Sequence, residues 1–173
     1  MELDELFRLR QSCRNYDASK KVSTYDLEKI LDAARIAPSA RNAQPWHFTV
    51  VIDEEILPKI RKSCQKLGFN KFTDNVNAFI IVQEDKDLAS KIIRRDFAPI
   101  DIGLSTSQMI LKAAEIGLST CIIGAFDEEK VREACHIKSK QPIKILVAVG
   151  YAASEDVIRD KKRKELKDIA TFL

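Results

Sequence analysis

Residues 99–117 carry Ile100, Ile102, Leu104, Met109, Ile110, Leu111, Ala113, Ala114 and Ile116, apolar on most sides, which predicts a buried helix ending at Gly117. Such a helix needs cover on every side, and an oligomer interface is one source of it. The neighbouring segments are the other. Residues 78–83 form a nearly continuous apolar run suited to a central strand, and residues 47–52, 121–124 and 143–150 read as further strands. Between them, residues 2–10 predict a short helix with Leu3, Leu6, Phe7 and Leu9 directed to a buried surface. Ser23 and Asp26 make an S-x-x-D cap, with Val22 and Leu27 as a staple, for a helix through Ile30, Leu31, Ala34 and Ala37 that Pro38 ends. Pro58 opens another helix on Ile60, Cys64 and Leu67, a further one is expected over residues 87–97 on Leu88, Ile92 and Ile93, and Asp127 caps one reaching Cys135. Helices alternating with three or four strands predict a single α/β layered domain.

Several function classes are excluded by what the chain lacks. Twenty-nine basic and 26 acidic side chains leave a net charge of +3, too small a bias for nucleic acid as the default partner. Four cysteines show no C-x-x-C spacing and there are only two histidines, so no metal site is expected, and free thiols suit a cytoplasmic protein. No apolar run approaches ~18 residues, so neither a signal peptide nor a membrane span is expected. The five glycines, Gly68, Gly103, Gly117, Gly124 and Gly150, lie too far apart for G-x-G-x-x-G or a P-loop. A nucleotide phosphate would therefore have to be held by side chains. Arg10 and Arg14, with Lys161 and Arg163 in a tail holding six basic and two acidic residues over 159–167, offer such donors; singly, each reads as a solvated surface charge.

The most directed polar groups lie in residues 37–48, Ala-Pro-Ser-Ala-Arg-Asn-Ala-Gln-Pro-Trp-His-Phe, a loop bracketed by prolines. Ser39, Asn42 and Gln44 there either cap local backbone or meet a planar ring with carbonyl and N–H edges. The loop follows Arg10-Gln11-Ser12-Cys13-Arg14-Asn15-Tyr16 by some 25 residues. An Arg-x-Ser-x-Arg-x-aromatic run before Pro-Ser-x-x-Asn-x-Gln-Pro-Trp resembles the flavin-dependent nitroreductase family. The resemblance continues through Asp101, Gly117-Leu118-Ser119-Thr120, Val149-Gly150-Tyr151 and Lys161-Lys162-Arg163, and so covers nearly all 173 residues of what would be a short member.

The resemblance implies an α/β (α+β) three-layer α-β-α sandwich, with a central mixed sheet of four to five strands around a buried helix. It implies an FMN-dependent oxidoreductase that takes hydride from NADH or NADPH and passes electrons to nitroaromatic, quinone or related conjugated acceptors by a ping-pong mechanism. Alternatives are specialised flavin chemistry (flavin fragmentation or reductive dehalogenation) and an FMN-binding carrier or sensor without turnover. By resemblance Arg10, Lys161 and Arg163 grip the FMN phosphate, while Gln11, Ser12 and Arg14 lie along the ribityl chain and pyrimidine edge. Pro38, Ser39, Asn42 and Gln44 approach the FMN held mainly by the other subunit. A backbone N–H at Gly124, in the Ile123-Gly124-Ala125 turn, would face flavin N5, and Arg14 would supply positive charge where electron density accumulates. A homodimer with FMN at the subunit interface follows. The apolar end, Ile169-Ala170-Thr171-Phe172-Leu173, is expected either to add to the partner's sheet or to fray.

Overall fold

The computed structural model describes residues 2–65, 68–85 and 97–173. Of the expected helix over 87–97, only Phe97 lies among the described residues, as the N-cap of a later helix, and Leu67 lies outside them. Five α-helices are described: α1 (Leu3–Leu9), α2 (Thr24–Arg35), α3 (Leu57–Ser63), α4 (Ala98–Glu115) and α5 (Glu128–Ala134). Four strands, β1 (Trp46–Val51), β2 (Ala78–Glu84), β3 (Ser119–Ile123) and β4 (Ile143–Gly150), pair in the order β1-β2-β4-β3.

Local chemistry starts and stops these elements. Ser23 Oγ accepts from the Asp26 N–H at 3.1 Å and Asp127 Oδ1 accepts from the Lys130 N–H at 3.3 Å; caps of this kind contribute about 1 kcal/mol each. Gly117, at φ 81°, takes the left-handed turn that ends α4, a conformation a side chain would oppose.

Every strand pair is antiparallel, and the parallel component is an isolated bridge between Ser12 and Thr120. All seven residues of β2 are buried, as its continuous apolar sequence requires of a central strand covered on both faces. Phe79 and Ile81 face a core shared with Leu57 and Ile60 of α3 and Val131 of α5, while Ala78, Ile80 and Val82 face Leu27, Ile30 and Ala34 of α2 and Ile102, Met109 and Ala113 of α4. The result is three layers, α-β-α, with α2 and α4 on one face.

Two expected burials differ. On α1 only Leu6 is buried, whereas Leu3, Phe7 and Leu9 are exposed. On α4 the face towards the sheet and α2 is buried, but Ile100 and Leu104 are exposed. The physical reason is shared: one packed layer covers one side of a helix, and the described residues supply no second layer over the other.

Candidate functional site

The N-terminal segment is stitched to the sheet before any side chain is considered. Cys13 N–H donates to Thr120 O, Asp17 N–H to Tyr151 O and Ala153 N–H to Asn15 O, each at 2.9 Å. Tyr16 is buried beneath this seam and donates to Ala148 O at 3.4 Å. Its ring lies where a Cβ on Gly150 would fall, 2.8 Å from Cδ1, so the seam requires glycine there. This pairing lays Ser12 beside β3 and points Arg14 to the surface.

The tail is brought to the same place. Gln11 Nε2 donates to Asp156 Oδ2 at 3.2 Å and to Val157 O at 3.1 Å, and Gln11 Oε1 accepts from the Arg159 N–H at 3.0 Å. Arg159 pairs with Asp156 at 3.0 Å and donates to Ser12 O. Lys161 Nζ donates to Arg8 O, which sets it against the last turn of α1, next to Arg10. Arg10 and Gln11 line a cavity of about 190 Å³ with Leu6, Leu9, Ala114 and Gly117, at the C-terminal end of α4. Arg163 is exposed and donates to its neighbour's carbonyl, Lys162 O. Arg10, Gln11, Ser12 and Lys161 thus come together across about 150 residues of sequence.

The 39–44 loop lies elsewhere. Ser39 Oγ accepts from the Gln44 N–H at 3.0 Å and Gln44 Nε2 donates to Asn42 O at 3.3 Å. Arg41, Asn42 and Gln44 all have positive φ, 51°, 57° and 47°, unfavourable for residues with a Cβ. The Ala40 N–H donates to both carboxylate oxygens of Asp101, in the first turn of α4, at 3.2 Å. Pro38, Asn42 and Gln44 are exposed and Ser39 is half-buried. Within one chain, therefore, the loop and the Arg10 cluster sit at opposite ends of α4. Asp101 and Ala114 are roughly 20 Å apart along it at about 1.5 Å per residue.

Ile123 and the exposed Gly124 end β3. Asn70, itself left-handed at φ 53°, donates to Cys64 O at 3.1 Å and Ala125 O at 3.3 Å, bracing the turn from below. Beside it, Ile102, Thr106 and Ile110 of α4 with Ile122, Lys144 and Ile145 wall a mainly apolar cavity of about 280 Å³. Thr106 Oγ1 and Gln108 Oε1, both on α4, are buried without a hydrogen-bond partner among the described residues.

Asp101, Asp156, Arg159 and Asn70 were not legible as site residues. Only the three-residue spacing of Asp156 and Arg159 hinted at a pair, and Asp101 entered the sequence reading as part of the family resemblance without a role in the site. Burial pushes the Cys13 thiol up to about 12 and Cys64 up to about 11, and raises Cys121 and Cys135 as well, which disfavours the nucleophilic thiolate at neutral pH. Among the described residues no group of three or more acid, cysteine or histidine side chains is placed to hold a metal, and no helix is long and apolar enough to cross a membrane.

The profile described as the Nitroreductase family matches residues 8–69 and 62–151. A protein of Archaeoglobus fulgidus, provisionally named NADH dehydrogenase/NAD(P)H nitroreductase, is 33% identical over 150 residues, spanning 84% of this chain and 83% of its own. The oxygen-insensitive NADPH nitroreductase of Helicobacter pylori is 26% identical over 202 residues, spanning 98% and 95%. Among solved structures, an FMN-dependent nitroreductase of Clostridium difficile is 27% identical with a TM-score of 0.75, covering 96% of this chain and 94% of its own. A nitroreductase family protein of the same species is 29% identical with a TM-score of 0.82, covering 99% and 98%. With that agreement in sequence and fold across nearly the whole chain, this protein belongs to the nitroreductase family.

Proposed function

We propose that this chain is an FMN-dependent oxidoreductase that draws on NADH or NADPH and reduces nitroaromatic, quinone or related conjugated acceptors, working as a cytoplasmic homodimer. The observation that carries the reading is the anchoring of Lys161 to the Arg8 carbonyl in the last turn of α1, two residues from Arg10, in a chain with no glycine cradle for a phosphate. Two cations from distant parts of the sequence suit a dianion better than any neutral ligand. The family membership and the names of the relatives support the same cofactor and donor.

The residues fit FMN. Arg10, Lys161 and Arg163 would hold the phosphate, Gln11 and Ser12 the ribityl chain, and the Arg14 guanidinium the pyrimidine edge. The apolar wall from Ile102 to Ile122, with Thr106 Oγ1 unpartnered in it, suits a ring that is apolar in plane and polar at its edges. Bound FMN supplies hydride acceptance and donation, which no side chain here can do. The chain's part is to orient, with the Gly124 N–H as donor at one edge, and to keep positive charge at the other through Arg14.

Pro38, Ser39, Asn42 and Gln44 would serve the FMN of the neighbouring subunit. The exposed apolar side chains of α1, of α4 and of Ile122 and Phe172 support a second copy as their cover.

Purified protein reconstituted with FMN tests the reading directly. A yellow dimer bleached by NADH or NADPH is expected. Yellow protein that neither donor bleaches would favour a carrier, and protein that takes up no FMN would end the proposal.

A further inference from the structure

We propose that Asp101 is a positioning residue for the cofactor-facing loop: by taking the Ala40 N–H on both oxygens, its buried carboxylate sets the direction in which Ser39 and Asn42 are presented. This rests on the flavin reading of the 39–44 loop. Asp101 does not act on the cofactor itself; it acts through the backbone of Ala40.

Three observations carry the inference. An acid is 96% buried on a helix whose neighbouring inward residues are Ala98, Ile102 and Ser105, and among the described residues its hydrogen bonds go to Ala40 N–H. Burying a carboxylate is unfavourable unless its acceptors are used, so the position is spent on this contact. The loop it holds contains three left-handed residues with side chains within four positions, a shape that persists only where the surroundings over-determine it. Finally, Asp101 lies one turn before Ser105, whose Oγ donates to Ala34 O at 2.9 Å. One face of α4 thereby grips the last turn of α2 and the first residue after Ser39, on either side of Pro38. The Ala40 N–H opens a 3-10 turn (Ala40–Asn42) and has no partner within it, so Asp101 supplies the acceptor that a helix start needs.

Asp101→Ala, Asp101→Asn and Ala40→Pro test this in the full-length protein. Ala40→Pro removes the N–H and leaves the carboxylate, and the extended Ser39 before it (φ −144°, ψ 154°) has the backbone conformation that a following proline favours. Two readouts are needed: amide hydrogen exchange over residues 39–44 in FMN-free protein, and FMN affinity by fluorescence titration with KM and kcat at saturating FMN. Asp101→Ala and Ala40→Pro are expected to speed exchange in the loop and to weaken FMN binding about tenfold or more, the scale of one hydrogen bond to a charged group. Asp101→Asn, with one acceptor oxygen left, is expected to recover part of both. A role in stability alone would lower the melting temperature and leave the FMN affinity of the folded protein unchanged. That result in Asp101→Ala, or in Ala40→Pro should Asp101→Ala not fold, overturns the proposal. Wild-type protein that takes up no FMN would instead remove the flavin reading, while unaltered loop exchange in the variants would remove the clamp.

Discussion

The 39–44 loop and the tail after residue 156 are both assigned to the cofactor, yet they are held in opposite ways. The loop is strained but tied down within its own chain, by Asp101 below and by Ser39 and Gln44 across its mouth. The tail is tied at one end only, through Gln11, Ser12 and Arg8. Beyond Lys161 it runs with Leu166, Ile169, Phe172 and Leu173 exposed, Phe172 at 86%. Side chains of that size are ordinarily left in water only singly, and here they come in a group. In the proposed dimer, the difference would separate what one chain completes from what a second copy would finish. The loop is held by its own helix, whereas the tail's proposed phosphate donors lead into an apolar end that a second copy would cover.

The comparison breaks most readily at the tail. Ending the chain at Asp160 removes Lys161, Arg163 and the apolar end, and is expected to abolish FMN retention and to shift the dimer to a monomer of about half its mass by light scattering. A truncated protein that stays dimeric and yellow would show that the tail is dispensable. Arg10→Ala comes next: FMN affinity should fall by ~1.5 to 3 kcal/mol in a fluorescence titration, the range for a hydrogen bond to a charged group, with the fold unaffected. Equal affinity would place the phosphate away from the α1 end.

Gly150→Ala probes the seam that ties the N-terminal segment to the sheet, on which the tail's anchors at Gln11 and Ser12 depend. The new Cβ meets the Tyr16 ring at 2.8 Å, so unfolding should become easier by ~1 to 3 kcal/mol, as measured by chemical denaturation, because the ring or the strand must move. A variant as stable as wild type would mean the N-terminal segment yields freely. The smallest effect is on pH dependence. Cys13 is raised from 9.0 to about 12 by burial, and Cys64 from 9.0 to about 11. A folded-state value above the unfolded one gives stability that is complete below about pH 9 and is lost as pH rises through the folded values. Denaturation midpoints should therefore hold level to pH 9 and decline from there towards pH 11, and a Cys13→Ala variant should decline less steeply.

Much of the fold was legible because its causes are local. Ser23 with Asp26, and Asp127 before a helix, state where helices begin; Pro38 states where one cannot continue; the unbroken apolar run of β2 states that both of its faces are covered. The same locality made two groups readable as candidates, since Arg10, Gln11 and Ser12 are adjacent and Ser39, Asn42 and Gln44 share one loop. Asp101 and Asp156 were not, because an isolated acid has no meaning until its partner is known, and those partners lie 61 and 145 residues away. The exposure of Leu3, Phe7 and Leu9 was missed because amphipathic spacing says that a face seeks cover without saying which chain provides it.

By itself the sequence determined most of the described helices and strands, and that any nucleotide phosphate would have to be held by side chains. These depend on periodicity, capping and the absence of paired glycines, all of which are read within a few residues. Only the tertiary structure decided the strand order β1-β2-β4-β3, the meeting of Lys161 with the end of α1, and the separation of the 39–44 loop from Arg10 by most of the length of α4. Each of these follows from long-range packing, in which the gain from burying β2 on both faces sets the positions of everything joined to it.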